Sequence, residues 1–333
     1  VSSPDPIILD ALRQMRLVGP TAIPPMQRLA GGVSSDIWRV DLPDGPVCVK
    51  RALPRLKVDA VWEVPVERNR YEWEWMREAT GIDANSVPPL VAHDAQSGCF
   101  AIGFLDPDVY PVWKGQLQKG IVSTATAGAV GRRLAAIHAA TADNPEIAER
   151  FATDHIFHAI RLEPYLLATA ARHRDVAARL QDLASRTAAT RRALVHGDAS
   201  PKNVLVGPDG PVFLDAECAW YGDPAFDLAF CLTHLLLKCL WVPGSTAGFL
   251  RSFAALADAY TAGVRWEQPT ALERRAAHLL PGLLLARVDG KSPVEYLTAE
   301  TDRVHVRHVA TALLRQPVDS LTLVRQAWAP DHD

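Results

Sequence analysis

Asp198, Asn203 and Asp215 are an acid, an amide and a second acid, set five and then twelve residues apart. Between the last two lie an apolar strand, a Pro208-Asp209-Gly210 turn and a second apolar strand, so a hairpin would return Asp215 to Asn203. The anionic oxygen of Asp215 and the neutral carbonyl oxygen of Asn203 are hard ligands, which magnesium accepts when phosphates complete its shell. Asp198 follows the short apolar Leu194-Val195 at the start of a loop, where its carboxylate can be held rigid and still accept or orient a hydroxyl proton. The combination suits phosphoryl transfer, in which catalysis is mostly positioning and neutralisation of phosphate charge. Turn formation and capping, roles that Asp and Asn often fill, would explain each residue singly but not their spacing together with the upstream elements.

Those elements begin at Met26–Val40, where Gly31-Gly32 and Ser34-Ser35 separate two strand-like segments. A glycine turn with free N–H groups and hydroxyls can close over phosphates, although an ordinary glycine hairpin reads the same way. Pro46 to Lys50 is an apolar strand ending on a lysine, and the helix expected over Val66–Ala79 sets Glu72 on one stripe with Trp75, Met76 and Ala79. An acid on an apolar stripe needs a partner. Lys50 supplies one and keeps its ammonium within reach of nucleotide phosphates. Glu67, Glu74 and Glu78 on the same helix suit exposed positions better. Leu90–His93 and Cys99–Leu105 read as strands joined by a turn at Ala95–Gly98. The strand pattern stops at Asp106-Pro107-Asp108, so the lobe boundary is placed near Leu105, and a nucleotide base would hydrogen-bond to backbone at Phe104 and Leu105.

Beyond this boundary the chain reads as helical. Thr124–Thr141 carries Val130, Leu134, Ile137 and His138 on one face, where His138 fits a hydrogen-bonded core position better than a base. Phe151–Leu167 and Asp175–Ala193 continue the pattern, and Leu228–Val242, interrupted by His234 and Lys238, is too short and too charged to span a bilayer. The expected fold class is therefore α+β: an N-terminal lobe, residues 1–105, with a small antiparallel sheet, and a mostly helical C-terminal lobe, residues 106–333, with the catalytic loop and acceptor site. With 333 residues, 48% hydrophobic and 22% charged, two lobes with a substantial core are expected, and the net charge of −3 gives no footprint for nucleic acid or an anionic membrane. Five scattered cysteines without a C-x-x-C pair suggest neither a disulfide framework nor a zinc site, and the absence of a basic start followed by an apolar run points to the cytoplasm.

The stretch His196-Gly197-Asp198-x-x-x-x-Asn203, then Leu214-Asp215-Ala216-Glu217, then Gly222-Asp223-Pro224-Ala225-Phe226-Asp227 resembles the aminoglycoside phosphotransferase and choline kinase branch of the protein-kinase-like fold. Its Asp-Ala-Glu element is also similar to that of 5-methylthioribose kinases. The resemblance covers nearly the whole chain, since Gly31-Gly32-Val33-Ser34-Ser35 and Lys50 fall where the family has its phosphate loop and lysine. It implies a two-lobed kinase that binds ATP, or GTP, with magnesium in the cleft and transfers the terminal phosphoryl group to a small-molecule hydroxyl. Carried onto this sequence, Asp198 is the base, Asn203 and Asp215 are metal ligands, Glu217 is a further candidate ligand, and Asp227 braces the catalytic loop. His196-Gly197 stands where protein kinases have His-Arg, and no activation segment follows Asp215, which favours small-molecule over protein acceptors. A nucleotide-binding pseudokinase is the competing expectation, although the lysine, base and metal-ligand positions are all filled.

The acceptor side is sought in Leu279–Leu297, where an apolar helix ends in Arg287, Asp289 and Lys291. Charges closing an oily helix can be a simple cap. In this fold late helices line the acceptor side, so Arg287, Asp289 and Lys291 are candidate substrate residues, and two cations there would favour a neutral or anionic hydroxyl compound over a polycationic aminoglycoside. Trp113-Lys114 and Trp220-Tyr221 could wall a ring, but core packing suits the tryptophans better.

Overall fold

The computed structural model describes residues 5–29, 35–53, 65 and 67–329. Strands β1 (Met26–Arg28), β2 (Ser35–Leu42), β3 (Gly45–Ala52), β4 (Leu90–Asp94) and β5 (Cys99–Gly103) form one antiparallel sheet in the order β1-β2-β3-β5-β4. Alternation along β3 decides what each face does. Val47 and Val49 join Trp38 and Val40 under helix α1 (Pro6–Gln14), which contributes Ile8, Ala11 and Leu12. The Asp5 side chain caps α1 by accepting from the Ile7 and Ile8 amides at 2.9 and 3.3 Å, with Pro6 at the first helical position. The helix stops at Gln14, after which Arg16 takes a left-handed conformation, φ 59°, and Leu17 N–H returns to the Leu12 carbonyl.

Lys50 stands on the opposite face, in register with Ile37 and Phe100. Helix α2 (Arg68–Ile82) covers that face, and Trp75, Met76 and Ala79 pack with Phe100 and Ile102. Glu72, one turn before Trp75 and Met76, is thereby carried to the face that bears Lys50.

The rest of the chain is the helical lobe. Thr124–Thr141 and Thr246–Thr261 pack closely at Gly131, where a Cβ would fall 2.4 Å from the Leu256 carbonyl oxygen. The helix Ala225–Trp241 is buried on all sides over most of its length, as expected for its oily middle, and Pro269–Asp289 packs along it. Expected as one ordinary helix, Phe151–Leu167 instead has a single α turn, Asp154–Phe157, that widens into a π-helix at His158–Leu167. Pro164, lacking an N–H and crowding the carbonyl a turn before it, accounts for the change in pitch. No described helix is long and apolar enough to cross a membrane.

Two small strand pairs set the motif residues. Strand β6 (Ala193–Val195) pairs with β9 (Trp220–Gly222), and β7 (Val204–Gly207) forms a hairpin with β8 (Gly210–Phe213). His196 to Asn203 runs from β6 to β7, and Asp215 to Glu217 lies between β8 and β9. Both acidic segments therefore leave strand ends on the same side of the sheet of Lys50 and Glu72.

Candidate active site

The loop after β6 is built around a buried acid. Asp227, in the first turn of the Ala225–Trp241 helix, accepts from the backbone N–H of His196 at 2.7 Å and of Gly197 at 2.8 Å, and its Oδ2 lies 3.2 Å from His138 Nε2. His138 Nδ1 meets the Tyr260 hydroxyl at 2.7 Å, so this histidine is a core residue holding the brace. The neutral His196 ring spans the motif: Nδ1 accepts from Asp198 N–H at 3.1 Å, and Nε2 donates to the Leu214 carbonyl at 3.0 Å. Burial lowers its pKa and keeps it in that form. Gly197 has φ +76°, and a Cβ there would fall 2.6 Å from the Cys218 carbonyl oxygen. Only glycine satisfies both conditions.

Three donors converge on one oxygen of Asp198. Arg161 Nη2 at 3.0 Å, Lys202 Nζ at 3.1 Å and Asn203 Nδ2 at 2.8 Å all reach Oδ2. Oδ1 has no donor among the described residues and stays available to a substrate hydroxyl. Burial would push this carboxyl up; Arg161 and then Lys202 outweigh it and hold it below the usual carboxylate range. Arg161 also donates to the Ile160 and Gly197 carbonyls and lies over the rings of Tyr165 and Phe230, so its guanidinium is fixed on every side.

Across from Asp198, Lys50 Nζ lies 2.8 Å from the Glu72 carboxylate and is also paired with Asp215. Burial disfavours the lysine charge, and Asp215 and Glu72 override it, so Lys50 stays protonated. Asp215 is held in a left-handed conformation, φ 66°, which bends the chain so that its carboxylate faces Lys50. Against burial, Lys50 and Lys202 keep that carboxylate strongly anionic. Asn203 spends its amide N–H groups on the Asp198 carbonyl and carboxylate, and its main-chain carbonyl accepts from Leu214 N–H at 2.9 Å. The Asn203 Oδ1 is left over. An anionic carboxylate and an uncommitted amide oxygen, tied together by one backbone hydrogen bond, fit an oxygen-preferring divalent cation. Among the described residues, no three His, Cys, Asp or Glu side chains cluster as a closed metal site.

Glu217 has a different environment from the one expected of a metal ligand. Its Oε2 accepts from Arg68 Nε at 2.9 Å, in a pair whose arginine is fully buried. Arg68 and Glu72 are one helical turn apart on α2, so one face of that helix binds an acid of the lower lobe and the lysine of the upper sheet. The guanidinium also donates to the Pro65 and Leu53 carbonyls at 2.9 and 2.7 Å.

Gly31, Gly32 and Ser34 lie outside the described residues, and Ser35 is a buried position opening β2. At the expected hinge, Phe104 N–H is already spent on the Pro46 carbonyl at 3.1 Å, and the Phe104 ring lies under Arg39. The Phe104 carbonyl and the backbone of Leu105 are left for a base. The three acceptor candidates separate. Asp289 is bound by both ends of the Arg307 guanidinium and by His173, each at 2.8 Å, and Lys291 pairs with Glu163 at 2.6 Å. Both are engaged in ion pairs at the helix end. Arg287 is buried, donates to the Tyr165 hydroxyl at 3.1 Å and lies over the ring that also supports Arg161. Trp113 and Trp220 are core residues, the latter stacked on Phe157 at 4.2 Å.

Sequence reasoning missed Arg68, Arg161 and Lys202. Arg68 carried a legible signal, a cation one turn before an acid already singled out. Lys202 sits inside the motif itself. Arg161 carried none, because nothing local marks an arginine in a proline-containing helix as the partner of an acid 37 residues later.

A small antiparallel sheet over a helical lobe, with lysine, glutamate, aspartate and asparagine meeting between them, defines the protein-kinase-like class of phosphotransferase folds. The model of the phosphotransferase enzyme family, APH, matches residues 25–266, and the chain belongs to that family. Methylthioribose kinase 1 of Oryza sativa subsp. japonica is 23% identical over 225 residues, 58% of this chain and 51% of that protein, so the chain spans about half the length of that curated relative. Among solved structures, macrolide 2'-phosphotransferase from Brachybacterium faecium superposes with a TM-score of 0.50 at 19% identity, covering 94% of this chain and 98% of that one. Plasmodium vivax ethanolamine kinase superposes with a TM-score of 0.54 at 12% identity, covering 95% and 87%. At these identities the superpositions establish the fold alone.

Proposed function

We propose that this chain is an ATP-dependent small-molecule kinase that phosphorylates a hydroxyl group. The observation that carries the reading is the state of Asp198: buried, anionic, saturated at Oδ2 and open at Oδ1. Such a carboxylate is oriented to one oxygen's precision and accepts one more hydrogen bond, that of an incoming hydroxyl. In the transfer the acceptor oxygen bonds to the terminal phosphorus, the bond from that phosphorus to the bridging oxygen breaks, ADP leaves, and the hydroxyl proton passes to Asp198 Oδ1. Lys50, held by Glu72, binds the nucleotide phosphates. Asn203 and Asp215 would hold magnesium, which when bound neutralises phosphate charge. Glu217 acts through Arg68 as a strut between α2 and the Asp215 segment.

The acceptor is a free small molecule, reached from the helical lobe, which begins near residue 105. That two further matching curated relatives are also named methylthioribose kinases supports a sugar-type hydroxyl as the reacting group. The test is ADP release over sugars, nucleosides, amino alcohols and aminoglycosides with the Asp198→Asn variant as blank. Turnover above that blank with any acceptor supports the reading; no turnover with any, in protein that binds ATP, would sink it.

A further inference from the structure

The Ala225–Trp241 helix begins at Asp227 under the catalytic loop and then presents His234 and Lys238 along neighbouring turns. At 1.5 Å per residue these positions lie about 10 Å and about 16 Å along the axis from Asp227. Lys238 is 1% exposed, yet among the described residues it has no carboxylate partner and no hydrogen bond. Its ammonium rests on the faces of Tyr296 and Trp241, at 3.9 and 4.5 Å from the ring centroids, and those two rings stack on each other at 4.4 Å. Arg287, also buried, donates among the described residues to neutral partners, the Tyr165 hydroxyl and Ser292.

The carboxylates that could neutralise this cluster are engaged elsewhere. Glu295 is two-thirds exposed and paired with Lys114, while Asp289 is held by Arg307 and His173. Burial, then the charges of Lys114 and Arg287, push Lys238 down to about 7 against the opposing charge of Glu295. Burial and the cations Arg287, Lys238, Lys202 and Lys114 likewise keep His234 neutral. Two buried hydrogen-bonding atoms beside them, the Tyr296 hydroxyl and Arg287 Nε, have no partner. Gathering buried cationic groups without a direct ion pair, and idle donors, at one place is costly unless something negative occupies it.

The cluster adjoins the reaction centre. Lys202, whose charge bears on His234, is the residue 3.1 Å from Asp198 Oδ2, and the helix Trp113–Gln118 that carries Lys114 packs on the Pro201–Asn203 turn. Arg287 and the Asp198 partner Arg161 lie over the same Tyr165 ring.

We infer that the acceptor is an anion whose carboxylate or phosphate group sits among Lys238, Arg287 and the Tyr296 hydroxyl, with the hydroxyl to be phosphorylated nearer Asp198. The inference rests on the kinase reading for what happens at Asp198, but not for the binding of the anion. It also excludes a class. The stacked Trp241–Tyr296 pair would suit a quaternary ammonium, and here the protein's own Lys238 occupies the ring faces.

Four probes sharing one sugar ring test this by calorimetric titration of the whole chain: glucose, glucosamine, glucuronate and glucose 6-phosphate. At least one of the two anions is expected to bind about tenfold or more tightly than glucose and glucosamine, and which one does separates a carboxylate from a phosphate acceptor. Lys238→Met should remove that advantage while leaving the thermal melting temperature equal or higher, because an unpaired buried ammonium is gone. If that variant does not fold, Lys114→Met, at a side chain 28% exposed, should reduce the anion advantage at least threefold. Glucosamine or glucose binding as tightly as both anions, or an anion advantage untouched in the folded variant, would overturn the inference. ADP release with the same probes separates the two readings. Anion binding without turnover of any acceptor in the broader screen counts against the kinase and leaves the anion site standing, whereas faster turnover of neutral or cationic sugars does the reverse.

Discussion

The guanidinium of Arg161 lies 3.0 Å from Asp198 Oδ2, contributed by a π-helical turn and buried with it. With Lys202 and Asn203, this contact occupies Oδ2, holds the acid anionic and leaves Oδ1 open. Replacing Arg161 with Gln removes the largest influence that lowers the Asp198 pKa while the burial that raises it stays. In the proposed mechanism the active form is the carboxylate, so activity should be lost as pH falls through that pKa. The acid limb of the kcat/KM profile should therefore move to higher pH by about 1–3 pH units, read from ADP release between pH 4.5 and 8.5. An unmoved acid limb would mean that Arg161 does not set the charge of the base.

Asp198→Asn keeps the side-chain shape and removes the proton acceptor. Transfer should fall by about 10²–10⁴-fold, with ATP affinity measured by calorimetry changed less than about threefold. A variant with full turnover would remove Asp198 from the chemistry.

Arg68 and Glu217 form a buried pair whose separate loss should be costly. Arg68→Met leaves the Glu217 carboxylate uncompensated and should lower the unfolding free energy by about 3–5 kcal/mol in urea titration. Adding Glu217→Gln to Arg68→Met should recover much of that loss, since the stranded charge is gone. If the double variant is no more stable than Arg68→Met, stranding of the Glu217 charge is not the cause.

Gly197→Ala combines a positive φ with a Cβ placed 2.6 Å from the Cys218 carbonyl oxygen. It should destabilise the chain by more than about 1 kcal/mol and displace Asp198 from Asn203, so kcat falls even in the fraction that stays folded. Thermal unfolding and active-site titration on the same sample separate the two effects.

Glu72→Gln leaves Lys50 with Asp215 as its one ion-pair partner among the described residues. Drawn toward the proposed metal site and away from the phosphates, the lysine should bind nucleotide less well, raising the KM for ATP by about tenfold, with a smaller change in the KM for the acceptor. Equal changes in both would place the defect in folding instead.

Much of the motif was legible because it is local. Asp198, Asn203 and Asp215 are separated by one hairpin, and hairpin geometry follows from the Pro208-Asp209-Gly210 turn and the alternation beside it. Lys50 and Glu72 were found by a local anomaly, an acid on an apolar stripe, which only a cation can satisfy. The partners of Asp289 and Lys291 were not legible, because Arg307, His173 and Glu163 reach that helix end from distant segments.

By itself the sequence determined the spacing that brings Asp198, Asn203 and Asp215 together, the two-lobed α+β architecture and the buried character of the Ala225–Trp241 helix, because these depend on spacing and periodicity over a few turns. Tertiary structure alone decided that Arg161 meets Asp198, that Arg68 takes Glu217, and that Lys238, among the described residues, stands buried without a carboxylate partner. Those are questions of which charges meet after the chain has crossed itself many times. The sign and depth of an electrostatic environment are sums over such meetings, and no short window of sequence contains them.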